Sequence, residues 1–154
     1  MRINKSSILL NEESIPYLKI DFIKNYPKEK TLDTPEKIAQ CVKDVFNLDK
    51  MPEEHAYVIA FNTKMKPVTF FHLSHGIDDS TFMQPKNILT RVLLTGAPSI
   101  VLIHSHPSGD TIPSKADIKA TERIKEACNI IGISLLDHII IGENYYSMKE
   151  HNLV

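Results

Sequence analysis

The run Ser99–Ile103 (SIVLI) leads without a break into HSHPSGDTIPSKAD, residues 104–117. A short apolar run of this kind reads as a buried strand. The segment after it holds two prolines and a glycine, which permit a sharp turn. Ser114 then stands three residues ahead of Asp117, a spacing close to a capping box, so a helix starts there. A buried strand that passes through a short loop into a helix is the building unit of an α/β fold, and it constrains the rest of the chain.

The flanking sequence repeats that alternation. Thr34 is suited to cap a helix opened by Pro35, with Ile38, Cys41, Val42, Val45 and Phe46 on its apolar stripe. HAYVIAF (55–61) and PVTFFHLS (67–74) read as two strands of a hairpin joined by NTKMK. After the loop HGIDDSTFM, Pro85 opens a second helix with Ile88, Leu89, Val92 and Leu93 buried, and Gly96 lies just past its end. A third helix is expected over Ser114–Ile131, burying Ile124, Ala127, Cys128 and Ile131, with Gly132 after it. ISLLDHIIIG (133–142) and YYSMK follow as strands. Residues 7–23 alternate weakly between apolar and polar around Pro16 and read as peripheral strand. The expectation is α/β with a mixed sheet flanked by helices: an N-terminal extension with weak strands at 1–34, and the main domain at 35–154.

Composition narrows the function. The 154 residues are 42% hydrophobic and 24% charged, with a formal net charge of −1. That balance carries no basic footprint of the kind nucleic-acid binding leaves. Cys41 and Cys128 are far apart in sequence, and each falls on an apolar helix face, so both read as buried reduced thiols. The N-terminus lacks the apolar core of a signal peptide, and no run approaches a membrane span, so a cytoplasmic protein with no membrane partner is expected.

His104 and His106 sit two apart at a strand end, so their side chains leave the same face and can converge on one ion. Asp117, in the first turn of the next helix, leans back toward them, because helical side chains tilt toward the N-terminus. Two imidazoles and a carboxylate form a three-ligand zinc site that keeps a fourth position for water. The bland alternative is that Ser114 and Asp117 merely cap the helix and the histidines are incidental. On these residues alone both readings stand.

The spacing H-x-H, seven residues, S-x-x-D is that of the JAMM (MPN+) metalloproteases, and the fuller HPSGD-x-x-PS-x-x-D resembles the RadC family of bacterial JAB-domain proteins. Three further stretches are similar to that family: ATERIKEA at 120–127, GISLLDHIIIGENYYSMKE at 132–150 and EEHAYVIAFNTK at 53–64. The resemblance covers roughly residues 35–154. It implies a cytidine deaminase-like JAB/MPN fold, with zinc held by His104, His106 and Asp117. It also implies Glu54 as general base, with Glu53 as the fallback, and Ser114 as oxyanion stabiliser. The activity implied is hydrolysis of a peptide, isopeptide or related amide bond in a peptide or protein substrate. Two other readings follow the family: a DNA-repair or mobile-element role with metal-dependent nuclease activity, and a non-catalytic binding module. The near-neutral charge disfavours the nucleic-acid role, as does the expected absence of the helix-hairpin-helix module of longer relatives.

Two departures stand out. QPKN at 84–87 replaces the family's usual His-Pro-Arg-Glu, and H-S-H replaces the more usual H-N-H without touching a ligand. Elsewhere, His138 and Asp137 read as structural or supporting residues within a strand, His72 and His75 as surface residues, and Asp110 as a loop-shaping residue that can also face substrate.

Overall fold

A computed structural model describes residues 1–27, 31–76 and 83–154. Most of the expected loop at 75–83, and part of the one before the first helix, lie outside the described residues. The chain builds seven strands and three helices: β1 Arg2–Leu10, β2 Pro16–Asn25, α1 Pro35–Phe46, β3 His55–Phe61, β4 Pro67–His75, α2 Pro85–Leu93, β5 Ser99–Ser105, α3 Lys115–Ile130, β6 Ser134–Ile141 and β7 Tyr145–Ser147. A single 3-10 turn, Leu48–Lys50, follows α1. All strands join one sheet in the order β2-β1-β4-β3-β5-β6-β7. Most neighbours are antiparallel, but β5–β6 and β1–β4 run parallel, which makes the sheet mixed.

Alternation sorts the strand residues onto two faces. Tyr57, Ile59, Phe61, Val101, Ile103, Ile139 and Ile141 form one core with Ile38, Cys41 and Val42 of α1. Val58, Ala60, Ile100 and Leu102 form the other core with Ile88 and Val92 of α2 and Ile124 and Cys128 of α3. The central strands β3 and β5 are buried on both faces, which is why they read as unbroken apolar runs rather than alternating ones. Both cysteines are free and buried, and burial pushes the Cys128 thiol up to about 11.

The helix ends depart from the expected stripes. Leu93 is 57% exposed and Ile131 is 41% exposed. Each lies at or just past a helix end, where the chain has already turned away from the sheet. The N-terminal strands are longer than their weak alternation suggests. They span 2–10 and 16–25, turn through residues 11–15, and attach to the sheet through β1–β4 pairing. Ser6 Oγ lies 2.7 Å from Thr69 Oγ1 across that junction.

Candidate metal centre

The site forms where β5 ends and α3 begins. His104 stands between Ala56 of β3 and Ile140 of β6. Its side chain therefore leaves the face covered by α2 and α3, as does that of His106 two residues on. His106 lies past the end of β5, yet its N–H donates to the Ile141 carbonyl at 2.8 Å, so β6 still steers the chain there. The loop then folds back on itself. Gly109 N–H donates to the His106 carbonyl (3.0 Å), and Glu143 N–H donates to the Gly109 carbonyl (3.2 Å). Gly109 has φ +82°, and a Cβ at Gly142 would run into the Gly109 backbone. Both positions therefore require glycine. Asp110 Oδ1 accepts from Ile112 N–H at 3.0 Å, which is the loop-shaping role expected of it.

α3 opens with a complete capping box. Ser114 Oγ accepts from Asp117 N–H (3.1 Å), and Asp117 Oδ2 accepts from Ser114 N–H (2.7 Å). The cap does not compete with the cluster; it turns the Asp117 carboxylate toward the histidines. Asp117 Oδ1 lies 3.4 Å from His104 Nε2, and Oδ2 lies 3.8 Å from His106 Nε2. The two Nε2 atoms are 2.9 Å apart. The donor atoms of His104, His106 and Asp117 all fall within 4.8 Å of one another, and no other trio of histidine, cysteine or acidic residues does so among the described residues.

The opposite ring nitrogens fix the tautomers. His106 Nδ1 lies 2.7 Å from the Asp110 carbonyl, which only accepts, so Nδ1 carries the proton. Thr121 Oγ1 donates to the Asp117 carbonyl at 2.6 Å. Its hydroxyl proton is thereby used, so it accepts from His138 Nδ1–H at 2.6 Å. His138 Nε2 is then an acceptor, and takes the His104 Nδ1–H at 2.8 Å. In the neutral rings, these assignments leave the lone pair on Nε2 of both His104 and His106. Two lone pairs facing each other across 2.9 Å beside a carboxylate fit a cation held between them. Burial pushes His104 down to about 4 against the pull of Asp117, and pushes His138 well below the ordinary histidine range. His104 is thus neutral near pH 7, as ligation requires.

Glu54 precedes β3. The β3–β5 pairing ends at Ala56 and His104, two residues after Glu54 and two before His106. Glu54 is half-buried while Glu53 is exposed. The Glu54 carbonyl accepts from Gly76 N–H at 3.1 Å. Ser105, the middle residue of H-S-H, accepts from His55 N–H at 3.0 Å and so ties the backbone next to Glu54 to the histidine strand.

Several residues carry more than their sequence positions suggest. His138 is fully buried and hydrogen-bonds directly to His104, a supporting role. Asp137 turns the other way: it accepts from Ser147 Oγ (2.6 Å) and Lys149 N–H (3.0 Å), pinning the closing strand. Thr121 escaped the sequence reading; its only signal is a polar residue on the buried stripe of α3, one turn after Asp117. His75 is exposed, but His72 is half-buried in a ring stack rather than at the surface. Gln84 is the N-cap residue of α2, and its side-chain oxygen accepts from Arg123 at 3.4 Å.

A mixed sheet between helices, with two histidines at a central strand end facing a carboxylate on the following helix, is the layout of a JAB/MPN domain. The chain belongs to the RadC family of these domains: the family model described as RadC-like JAB domain matches residues 32–153. UPF0758 proteins resemble it closely. That of Coprothermobacter proteolyticus is 38% identical over 130 residues, covering 82% of this chain and 55% of the relative. That of Rubrobacter xylanophilus is 41% identical over 110 residues, covering 71% and 47%. That of Clostridium acetobutylicum is 40% identical over 124 residues, covering 80% and 53%. The chain thus spans about half the length of the curated relatives it matches. Among the described residues, no helix is long and apolar enough to cross a membrane.

Proposed function

We propose that the chain is a zinc-dependent hydrolase of the JAMM type that cleaves a peptide, isopeptide or related amide bond in a peptide or protein substrate. The observation that carries this reading is the convergence of the His104 and His106 Nε2 atoms on one point beside the Asp117 carboxylate. His104, His106 and Asp117 are the residues that would hold zinc. When bound, zinc lowers the pKa of a water molecule to about 7 and polarises a carbonyl.

The protein's own groups complete the assignment. Glu54, just ahead of β3 and half-buried, is the candidate to accept the water proton and return it to the leaving amine. Ser114 Oγ accepts from the helix N–H and keeps its own proton. It is the candidate donor to the developing oxyanion, an interaction of a kind worth about 3–4 kcal/mol. The His138–Thr121 chain holds His104 in the ligating tautomer and keeps the proton on Nδ1.

Two variants test this reading. The wild type is expected to carry one zinc per chain and Asp117→Ala none, by elemental analysis of the purified proteins. Glu54→Gln is expected to keep zinc and fold while losing hydrolysis of an unstructured protein or isopeptide-linked substrate. Equal zinc in wild type and Asp117→Ala removes the metal centre. Full activity in Glu54→Gln with loss in Glu53→Gln moves the base by one residue.

A further inference from the structure

The sheet has two edges of different character. β7 is three residues long. β2 is ten residues long, its single proline is Pro16 at its first position, and every residue but Leu18 is exposed. Such an edge presents unpaired backbone N–H and C=O groups to any strand that fits. Its side chains do not protect it: Tyr17, Ile20, Phe22 and Ile23 are between 39% and 54% exposed. The β1–β2 hairpin also lies outside the stretch matched by the family model.

We propose that β2 is a homodimerisation strand that pairs antiparallel with β2 of a second copy about a two-fold axis through Ile20, joining the two sheets. The sequence of the strand selects both the partner and the register. In an antiparallel pair related by a two-fold axis normal to the sheet, directly opposed residues share a face, so the axis must pass through a residue. Lys19 and Asp21 are two apart and flank Ile20, so an axis there sets Lys19 of each copy against Asp21 of the other. A bulge at Ile23 interrupts the regular pairing of β2 beyond Phe22, so Lys24 lies outside the regular segment Tyr17–Phe22 that this register uses. Within the regular segment Tyr17–Phe22, the register through Ile20 is the one that faces opposite charges across the junction.

The remaining opposed pairs of the regular segment are apolar: Leu18 with Phe22 and Ile20 with Ile20. Shifting the axis by one residue to Lys19 or Asp21 would face like charges instead, which is unfavourable across strands. Leu18, Ile20 and Phe22 pair with Ile8, Ser6 and Asn4 of β1 and share one face of the hairpin. Pairing through Ile20 makes the apolar strip continuous across both copies. The Lys19 Nζ–Asp21 Oδ1 contact of 3.2 Å within one chain places both charges on the other face, at mutual reach. β2 is separated from β5 by β1, β4 and β3, so this pairing leaves the candidate metal centre open.

Charge reversal tests the register, with mass measured by light scattering or sedimentation. The wild type is expected to be a dimer. Lys19→Asp and Asp21→Lys each place two like-charge pairs at the junction and are expected to weaken dimerisation by about tenfold or more, about 1.4 kcal/mol or more. An equimolar mixture of the two single variants restores opposed opposite charges between chains, and is expected to recover the dimer as a heterodimer. The double variant Lys19→Asp/Asp21→Lys is expected to recover it as a homodimer. Ile20→Lys, on the exposed strip, provides a disrupting variant that leaves both charges in place. Zinc content is expected to match wild type throughout. A wild type that stays monomeric, a dimer indifferent to both reversals, or single variants that do not rescue each other on mixing overturns the proposal. Because zinc content is read in the same samples, failure of the dimer is distinguishable from failure of the metal centre.

Discussion

The sheet carries three histidines on each of its faces, and the two groups behave differently. On the face covered by α2 and α3, His104 and His106 point Nε2 atoms at each other across 2.9 Å, with His138 behind and Asp117 alongside. On the α1 face, His55, His72 and His75 lie as a stack, with ring planes 17–23° apart and centroids 5.2–5.8 Å apart. Tyr57 continues that stack at 4.8 Å from His72, and Phe46 of α1 packs on Tyr57. One nitrogen pair approaches, His55 Nδ1 to His72 Nε2 at 3.1 Å, but near-parallel rings do not aim three lone pairs at one point. The charged neighbours also differ: Asp117 raises the basicity of His104 against burial, while in the second cluster Lys5 lowers that of His72 and Glu53 and Lys5 act on His55 in opposite directions. Histidine number is thus a poor guide to metal binding. Convergence, tautomer control and a carboxylate set against both converging nitrogens distinguish the two clusters.

The largest expected effect breaks that comparison outright. His104→Ala should remove all bound zinc, whereas a His55→Ala/His72→Ala double variant should retain one zinc per chain by elemental analysis. Loss of zinc from the double variant would make the second cluster part of metal binding. A smaller effect follows from the supporting chain. His138→Phe keeps an aromatic ring in the buried space but removes the acceptor that holds His104 Nδ1–H. Zinc affinity, measured by competition with a chromogenic chelator, should fall by about 10–100-fold. Unchanged affinity would mean that His104 holds its tautomer without His138.

The parts of the site that were legible in sequence are those set by short-range spacing. Two histidines two apart on a strand, and a serine and an aspartate three apart at a helix start, determine their own geometry whatever the rest of the chain does. The same holds for α1 with Thr34 as its cap, whose side chain accepts from Lys37 N–H at 3.3 Å, and for the buried runs of β3 and β5. Thr121, His138 and Gly142 were not legible as a set, because their roles arise only when β6 and α3 dock beside β5. Thr121 serves His138 from 17 residues away, and Gly142 meets Gly109 across the loop. Glu54 belongs to the same class: it stands just ahead of β3, and its distance from the histidines depends on how β3 docks beside β5, which no local pattern in EEHAYVIAF specifies. The edge strand β2 was weakly legible for another reason, since both of its faces are exposed and neither imposes a clean alternation.

The third prediction sharpens the link between the two faces. Ser105 Oγ accepts from His55 N–H, so one hydroxyl on the ligand strand positions the backbone between the candidate base and the histidine stack. Ser105→Ala removes about 1 kcal/mol of hydrogen bonding. It should lower kcat about fivefold and leave zinc content and the pH dependence of zinc binding unchanged. If zinc is lost instead, Ser105 supports the ligands rather than the base.

The smallest expected effect is on acid stability and isolates the second cluster. Burial, with Lys5 and the neighbouring histidines, pushes His72 down to about 4, so it is neutral in the folded chain near neutral pH. In the unfolded chain it titrates at about 6.5. Between those values the unfolded state binds more protons, so stability must decline as pH falls from about 6.5 toward 4, and His72 adds nothing further below that. His104 and His138 are also held neutral and contribute to the same decline, so replacing His72 should flatten the curve without abolishing its slope. His72→Phe keeps a ring between Tyr57 and His55 and removes the proton. Denaturant unfolding of wild type and variant at pH 7, 6, 5 and 4.5 should give free energies that converge as pH falls. Curves that stay parallel would show that water reaches His72 in the folded chain, and that the stack acts as packing alone.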